Sequence, residues 1–119
     1  ILLVDDEVVI ANLLKRILEG YGYQVFEKTC SIETLNTFRQ QPDRYDLVIT
    51  DLTMPNMTGL DLAGEIHVIR PDLPIILMTG YSEKITEELE SRYGIRAVVM
   101  KPIGARILEQ TIRKMLDHI

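Results

Sequence analysis

Four short apolar runs punctuate the chain: Ile1-Leu2-Leu3-Val4, Leu47-Val48-Ile49, Ile75-Ile76-Leu77-Met78 and Ala97-Val98-Val99-Met100. Each is continuous rather than alternating, the pattern of strands buried on both faces of a parallel sheet. A weaker fifth segment, Gln24-Val25-Phe26-Glu27, follows the Gly20-Tyr21-Gly22-Tyr23 turn. Its alternation predicts an edge strand with one wet face. Between these runs the period changes to that of a helix. Ile10, Leu13, Leu14, Ile17 and Leu18 form one apolar stripe, and Gly20 is placed to end that helix. Ile32, Leu35 and Phe38 mark a second helix with Ser31 at the N-cap position. Leu62, Ala63, Ile66 and Ile69 mark a third, ended by Pro71. Ile85 and Leu89 give a fourth with a thin stripe, and Leu108, Ile112 and Met115 a fifth.

Strand and helix thus alternate five times. That order implies a parallel sheet covered by helices on both faces, and right-handed crossovers leave few topologies. The expectation is an α/β, doubly wound, five-stranded sheet in the order 2-1-3-4-5, a flavodoxin-like fold. With 119 residues, one domain covering 1–119 is expected. Such a chain buries roughly two-thirds of its unfolded surface and needs no disulfide or structural metal. The lone cysteine, Cys30, has no internal partner, in keeping with a reducing compartment. The chain opens at Ile1, inside a predicted strand and without an initiator Met, and reads as a domain cut from a longer protein.

Charge narrows the function classes. A formal net charge of -5 with no basic stripe argues against direct nucleic-acid contact. No apolar run approaches the ~20 residues needed to cross a bilayer, so no membrane contact is expected of this domain.

In open α/β sheets, ligands bind at the carboxyl ends of the strands, near the point where strand order reverses. The residues there are Asp5, Asp6 and Glu7 after the first run, then Thr50 and Asp51 followed by Leu52-Thr53-Met54-Pro55. The other two runs end at Thr79-Gly80 and Lys101-Pro102. Taken singly, each has a bland reading. Asp5 and Asp6 suit a helix N-terminus, Asp51 an Asx turn, Thr79 a turn hydroxyl and Lys101 a solvated surface. Taken together, three carboxylates in one cleft repel one another, and a hard divalent cation relieves that repulsion. Mg²⁺ suits an open site with few carboxylates, several waters and a phosphate oxygen. Lys101 adds a compact positive charge and Thr79 a neutral donor. The set matches a phosphoryl group in transfer, with a carboxylate as nucleophile and an aspartyl phosphate as product.

The chain resembles, over essentially its whole length, the receiver domain of two-component response regulators. The motifs that carry the resemblance are Val4-Asp5-Asp6-Glu7, Thr50-Asp51-Leu52-Thr53-Met54-Pro55 with Thr58-Gly59, Met78-Thr79-Gly80, and Met100-Lys101-Pro102. The resemblance implies that Asp51 accepts a phosphoryl group from a phosphohistidine on a histidine kinase or phosphotransfer domain. Asp6, Asp51 and the backbone carbonyl of Thr53 would bind Mg²⁺ (or Mn²⁺), with Asp5 acting through a water. Thr79 would hydrogen-bond the phosphoryl group, and Lys101 would pair with it and with Asp51. The Lys101-Pro102 peptide is expected to be cis. Gly80 would leave room for the donor, while Thr53 and Tyr81 would tune phosphoryl lifetime.

One position departs from the family pattern. The best-known switching receivers carry Tyr or Phe three residues before the lysine, where this chain has Val98. Members attached to hybrid histidine kinases often lack that aromatic, so such a parent is the expectation, cytoplasmic at this domain even if the whole protein is membrane-anchored. The resemblance also raises a homodimer through the fourth helix, fifth strand and fifth helix, although that surface shows no large apolar patch. No turnover as a stand-alone enzyme is expected. Two other readings stand beside the switch. A haloacid-dehalogenase-type phosphatase needs a second acid two residues after the nucleophile, where this chain has Thr53. A pseudo-receiver acting only as an interaction module has no use for all five of Asp5, Asp6, Asp51, Thr79 and Lys101. Elsewhere, His67 and His118 read as solvated residues, Glu83, Glu87, Glu88 and Glu90 as a wet helix face, and Met54 and Met57 as loop packing.

Overall fold

The computed structural model describes residues 1–80 and 87–117, the side chain of Glu87 excepted. Its strands are β1 (Leu2–Val4), β2 (Phe26–Lys28), β3 (Val48–Asp51), β4 (Ile75–Thr79) and β5 (Ile95–Met100). They alternate with helices α1 (Val8–Gly20), α2 (Ser31–Gln40), α3 (Gly59–Ile69), α4 (Glu87–Tyr93) and α5 (Ala105–Leu116). Every neighbouring pair is parallel and the order is β2-β1-β3-β4-β5, as the sequence pattern predicts. Ile85, Tyr81, Glu83 and His118, singled out in the sequence, lie outside the described residues.

The continuous apolar runs are explained by a core on each face of the sheet. Leu2, Val4, Val48, Ile75 and Leu77 face Leu35 and Phe38 of α2 and Leu62, Ala63 and Ile66 of α3. Their neighbours Leu3, Ile49, Ile76 and Met78 face Leu14 and Leu18 of α1 and Leu108 and Ile112 of α5. Successive strand residues point to opposite sides, so a strand with helices on both sides has no polar position to spare.

Several local expectations are corrected. β5 is the second edge of the sheet, and its run is not buried throughout: Arg96 and Met100 are exposed. β2 holds the other edge but starts at Phe26, two residues beyond the expected Gln24, and its three residues are all half-buried rather than alternating. On α1 the buried positions are Ala11, Leu14 and Leu18, while Leu13 is 55% exposed. α1 does end at Gly20 as expected, and the turn that follows takes its positive φ, 98°, at Gly22. The N–H groups of Gly22 and Tyr23 bond back to Glu19 O and Leu18 O, which satisfies carbonyls that the helix end leaves open. Ile32 is exposed, and Ser31 does not cap α2: Cys30 holds that position and Ser31 is the first helical residue. His67 is not simply solvated: its Nδ1 is buried with no hydrogen-bond partner among the described residues, and its ring fills the space where a side chain at Gly94, at φ 74°, would stand. Met54 belongs to the core and Met57 packs against it, as read from the sequence.

Candidate functional site

The carboxyl ends of β1, β3, β4 and β5 meet at one rim. Beyond β1, the Asp5 N–H donates to Lys28 O at 3.1 Å, extending the pairing with β2 by one residue. Beyond β3 and β4 the pairing also continues: Leu52 N–H donates to Met78 O and Lys101 N–H to Thr79 O, both at 2.8 Å. These bonds fix where each strand releases its chain, and so fix the side chains that follow.

Asp5 is fully buried and Asp51 is 5% exposed, while Asp6 is the most open of the three. One carboxylate oxygen from each falls within 4.8 Å of the others. Lys101 Nζ bridges two of them, 3.0 Å from Asp5 Oδ2 and 3.2 Å from Asp51 Oδ1. The other oxygen of Asp5 accepts the Glu7 N–H at 2.9 Å. Asp5 therefore serves both of its possible roles, starting α1 with one oxygen and holding Lys101 with the other. Asp6, Glu7, Asp51, Thr53, Gly80 and Lys101 line an open cleft of about 390 Å³.

One ammonium does not balance three carboxylates. Burial pushes the Asp51 carboxyl above its ordinary pKa; the Lys101 charge pulls it down, while Asp5 and Asp6 push it further up, and the net shift is upward. For Lys101, burial pulls the pKa down, but hydrogen bonds and charge from Asp5 and Asp51 outweigh it and hold the ammonium above its usual value. The site is thus a fixed cation beside an under-neutralised carboxylate, with oxygen donors only. Such a set suits a hard divalent ion that accepts carboxylates, a backbone carbonyl and water.

The loop after Asp51 is set by a close approach. Gly59, the first residue of α3, sits so near the end of β3 that a Cβ there would run into the Asp51 carbonyl oxygen and lie 2.8 Å from its carbon. Its N–H donates to Leu52 O at 2.8 Å. Thr58 caps α3, its hydroxyl oxygen accepting the Asp61 N–H at 3.2 Å. The loop between them, 52–58, buries Leu52 and Met54 and exposes Thr53 and Asn56, the latter at φ 71°. Aiming Thr53 at the cleft while its neighbours enter the core keeps strand-like alternation going beyond the strand.

Of the other sequence candidates, Thr79 ends β4 and is 1% exposed. The Lys101-Pro102 peptide is cis. Pro102 lines a neighbouring groove rather than the carboxylate cleft. Val98 packs half-buried against the core on the α2–α3 side of the sheet. Sequence reasoning missed that groove, of about 360 Å³, lined by Ile10, Leu13 and Leu14 of α1 with Gly80, Lys101, Pro102 and Ile103. Exposed Val9, one turn before Leu13, continues the apolar surface along α1. A helical stripe gives no sign of which of its edges stays uncovered, so Leu13 could not be told from a core residue.

Comparison with known proteins places these features. A family model described as "Response regulator receiver domain" matches residues 1–113. The chain is 32% identical over 118 residues to the transcriptional regulatory protein ZraR of Escherichia coli (strain K12), covering 99% of this chain and 26% of that protein. It is 29% identical to the sensor kinase CckA of Brucella abortus (strain 2308), covering 98% of this chain and 12% of the kinase. The crystal structure of a response regulator receiver domain protein from Clostridium thermocellum superimposes with a TM-score of 0.91 at 32% identity, covering 98% of this chain and 93% of that one. The chain spans only about a quarter of the first of these curated relatives and about an eighth of the second.

Proposed function

The chain belongs to the response regulator receiver domain family, and we propose that it is a Mg²⁺-dependent switch phosphorylated on Asp51. The observation that carries this reading is the Asp51 carboxylate, held 3.2 Å from Lys101 and grouped with Asp5 and Asp6 at the open end of the sheet. An oxygen of Asp51 attacks the phosphorus of a phosphohistidine on a histidine kinase or phosphotransfer domain. The new O–P bond forms as the N–P bond breaks, and the imidazole leaves and takes up a proton. Mg²⁺, when bound, neutralises the charge that develops on the phosphoryl oxygens. Asp6, Asp51 and the Thr53 carbonyl would hold it, and Asp5 would contribute through a water. Lys101 keeps Asp51 oriented and then pairs with the phosphoryl group, to which Thr79 donates its hydroxyl. Gly80, which has open space where a Cβ would stand, gives the donor its approach.

The donor histidine must reach Asp51, so the surface beside the cleft has to be covered during transfer. The apolar groove between α1 and Ile103 opens next to Gly80 and Lys101, and exposed Val9 extends it beyond Leu13. We assign the kinase-docking surface to this face. Residues 1–119 act as one receiver unit in a longer cytoplasmic or membrane-anchored protein. Val98, in place of an aromatic, together with the similarity to a sensor kinase, favours a hybrid histidine kinase as parent. The unit stores a phosphoryl group and shifts an existing two-state equilibrium; it turns over no separate substrate.

Intact mass after incubation with a small phosphodonor tests the reading. A gain of one phosphoryl group that requires Mg²⁺ and is absent in Asp51→Asn is the expected result. Persistence of the gain in that variant would remove Asp51 from its role. No gain from either a small donor or a cognate kinase would leave a pseudo-receiver that acts only by binding partners.

A further inference from the structure

The loop that carries Thr53 is held at both ends and at one further point. Leu52 pairs with β4 at one end, and Gly59 packs against Asp51 at the other. Near its tip the Met57 N–H turns back to Pro55 O at 2.8 Å, leaving the Met57 carbonyl directed at α2. There the Ser31 hydroxyl donates to it at 2.9 Å. Ser31 is 2% exposed and Met57 half-buried, so the bond is partly screened from water. Losing it removes the loop's tie to α2 along with a hydrogen bond that helps hold the fold. Among the described hydrogen bonds it alone ties this loop to α2. As the first residue of α2 rather than its cap, Ser31 sends its hydroxyl to a segment 26 residues away. Thr34, one turn on, is the contrasting case: also buried, it bonds the Cys30 carbonyl of its own helix at 2.6 Å.

We infer that Ser31 is a positioning residue for the metal site, pinning the 52–58 loop so that the Thr53 carbonyl faces the carboxylate cleft before an ion arrives. The inference rests on the reading of that cleft as a Mg²⁺ site. Ser31 touches neither ion nor phosphoryl group; it acts through the backbone from Met57 to Thr53. Groups that orient ligands in this way commonly govern metal affinity.

The test is calorimetric titration of Mg²⁺ into wild type, Ser31→Ala and Thr34→Val at fixed ionic strength. Backbone amide shifts of residues 52–58 are followed with and without the ion. Ser31→Ala should weaken Mg²⁺ binding about tenfold and broaden or displace the loop amides in the metal-free state. Thr34→Val, which also loses a buried hydroxyl from α2, should leave affinity within about twofold of wild type. At saturating Mg²⁺ the rate of phosphorylation by a small donor should return towards wild type in Ser31→Ala, separating a loss of affinity from a loss of chemistry. If Ser31→Ala does not fold, Ser31→Cys keeps the side-chain volume with a weaker donor and is read in the same way. Equal affinities for wild type and the Ser31 variant, or equal losses in the two helix variants, would overturn the inference while leaving the cleft as a Mg²⁺ site. A wild type that binds no Mg²⁺ would overturn both.

Discussion

At the scale of single residues, the site is poised rather than satisfied. Asp51 has its carboxyl raised above the ordinary value, chiefly by burial and then by the balance of Lys101 against Asp5 and Asp6. Because the folded chain holds that proton more tightly than the unfolded chain, the group's contribution is favourable below the unfolded pKa and is lost as pH rises through the folded one. At neutral pH the ionised Asp51 therefore works against folding. Asp51→Asn should raise the thermal midpoint of the metal-free protein at pH 7 by a few degrees, at roughly 4 °C per kcal/mol for a domain of this size. The gain should shrink as the pH is lowered past Asp51's raised pKa towards the usual carboxylate value, and also as Mg²⁺ is added to wild type. Thermal melts of both proteins across that range, with and without the ion, would show it. A destabilised variant would mean that Asp51's bond to Lys101 outweighs its burial. These residues were legible in the sequence because each follows an apolar run, the one place where a parallel sheet presents side chains to a ligand. What stayed hidden was the partner of each atom. Nothing in the chain order says that Lys101 bridges Asp5 as well as Asp51, or that Asp5 divides its oxygens between Lys101 and the start of α1.

At the scale of elements, among the described residues periodicity pointed to the five strands and five α-helices, but not to the short 3-10 turn at Pro42–Arg44 or to the side of each helix that stays wet. Leu13 and Ile32 sit on the edges of their stripes, where a small rotation of the helix decides burial, and both are exposed. The ends of elements were legible where one residue's backbone preference decides them, as with Pro71, two residues beyond the end of α3. They were misread where a tertiary partner decides, as with Ser31, whose hydroxyl serves the neighbouring loop. Gly59 is the clearest case of an element boundary set by space. Any side chain there meets the Asp51 carbonyl, so α3 would have to retreat from β3 and take Thr58 and the loop with it. Gly59→Ala should cost on the order of 2–3 kcal/mol, the scale of overpacking. It should lower the denaturation midpoint and slow phosphorylation together. A denaturant melt and an initial-rate measurement on the same sample would check both, and an unaffected rate would show that the site tolerates movement of α3.

At the scale of the whole molecule, the two cores divide the fold into two working sides. α2, α3 and the end of α4 share one core with Val98, and α1 and α5 share the other. The apolar groove beside the cleft belongs to the α1 side, so docking and switching need not compete for the same surface. Val9 is 79% exposed and lies outside the cleft. Val9→Glu should cut the rate of transfer from a partner kinase at least about tenfold, the effect of placing a charge in an apolar contact. Transfer from a small phosphodonor should stay within about twofold. Parallel assays with the two donors would decide it, and equal losses would move the docking surface elsewhere. The alternation that carries on past β3 has a consequence for anyone rebuilding this protein. Between Asp51 and Met54, residues that line the cleft alternate with residues that fill the interior, one by one. A library over this stretch is therefore two libraries interleaved. Leu52 and Met54 can be exchanged only for shapes the interior accepts, whereas Thr53 is open to a free choice of chemistry. On the proposed function, Thr53 is the position at which the lifetime of the signal would be retuned without renegotiating the architecture that holds it.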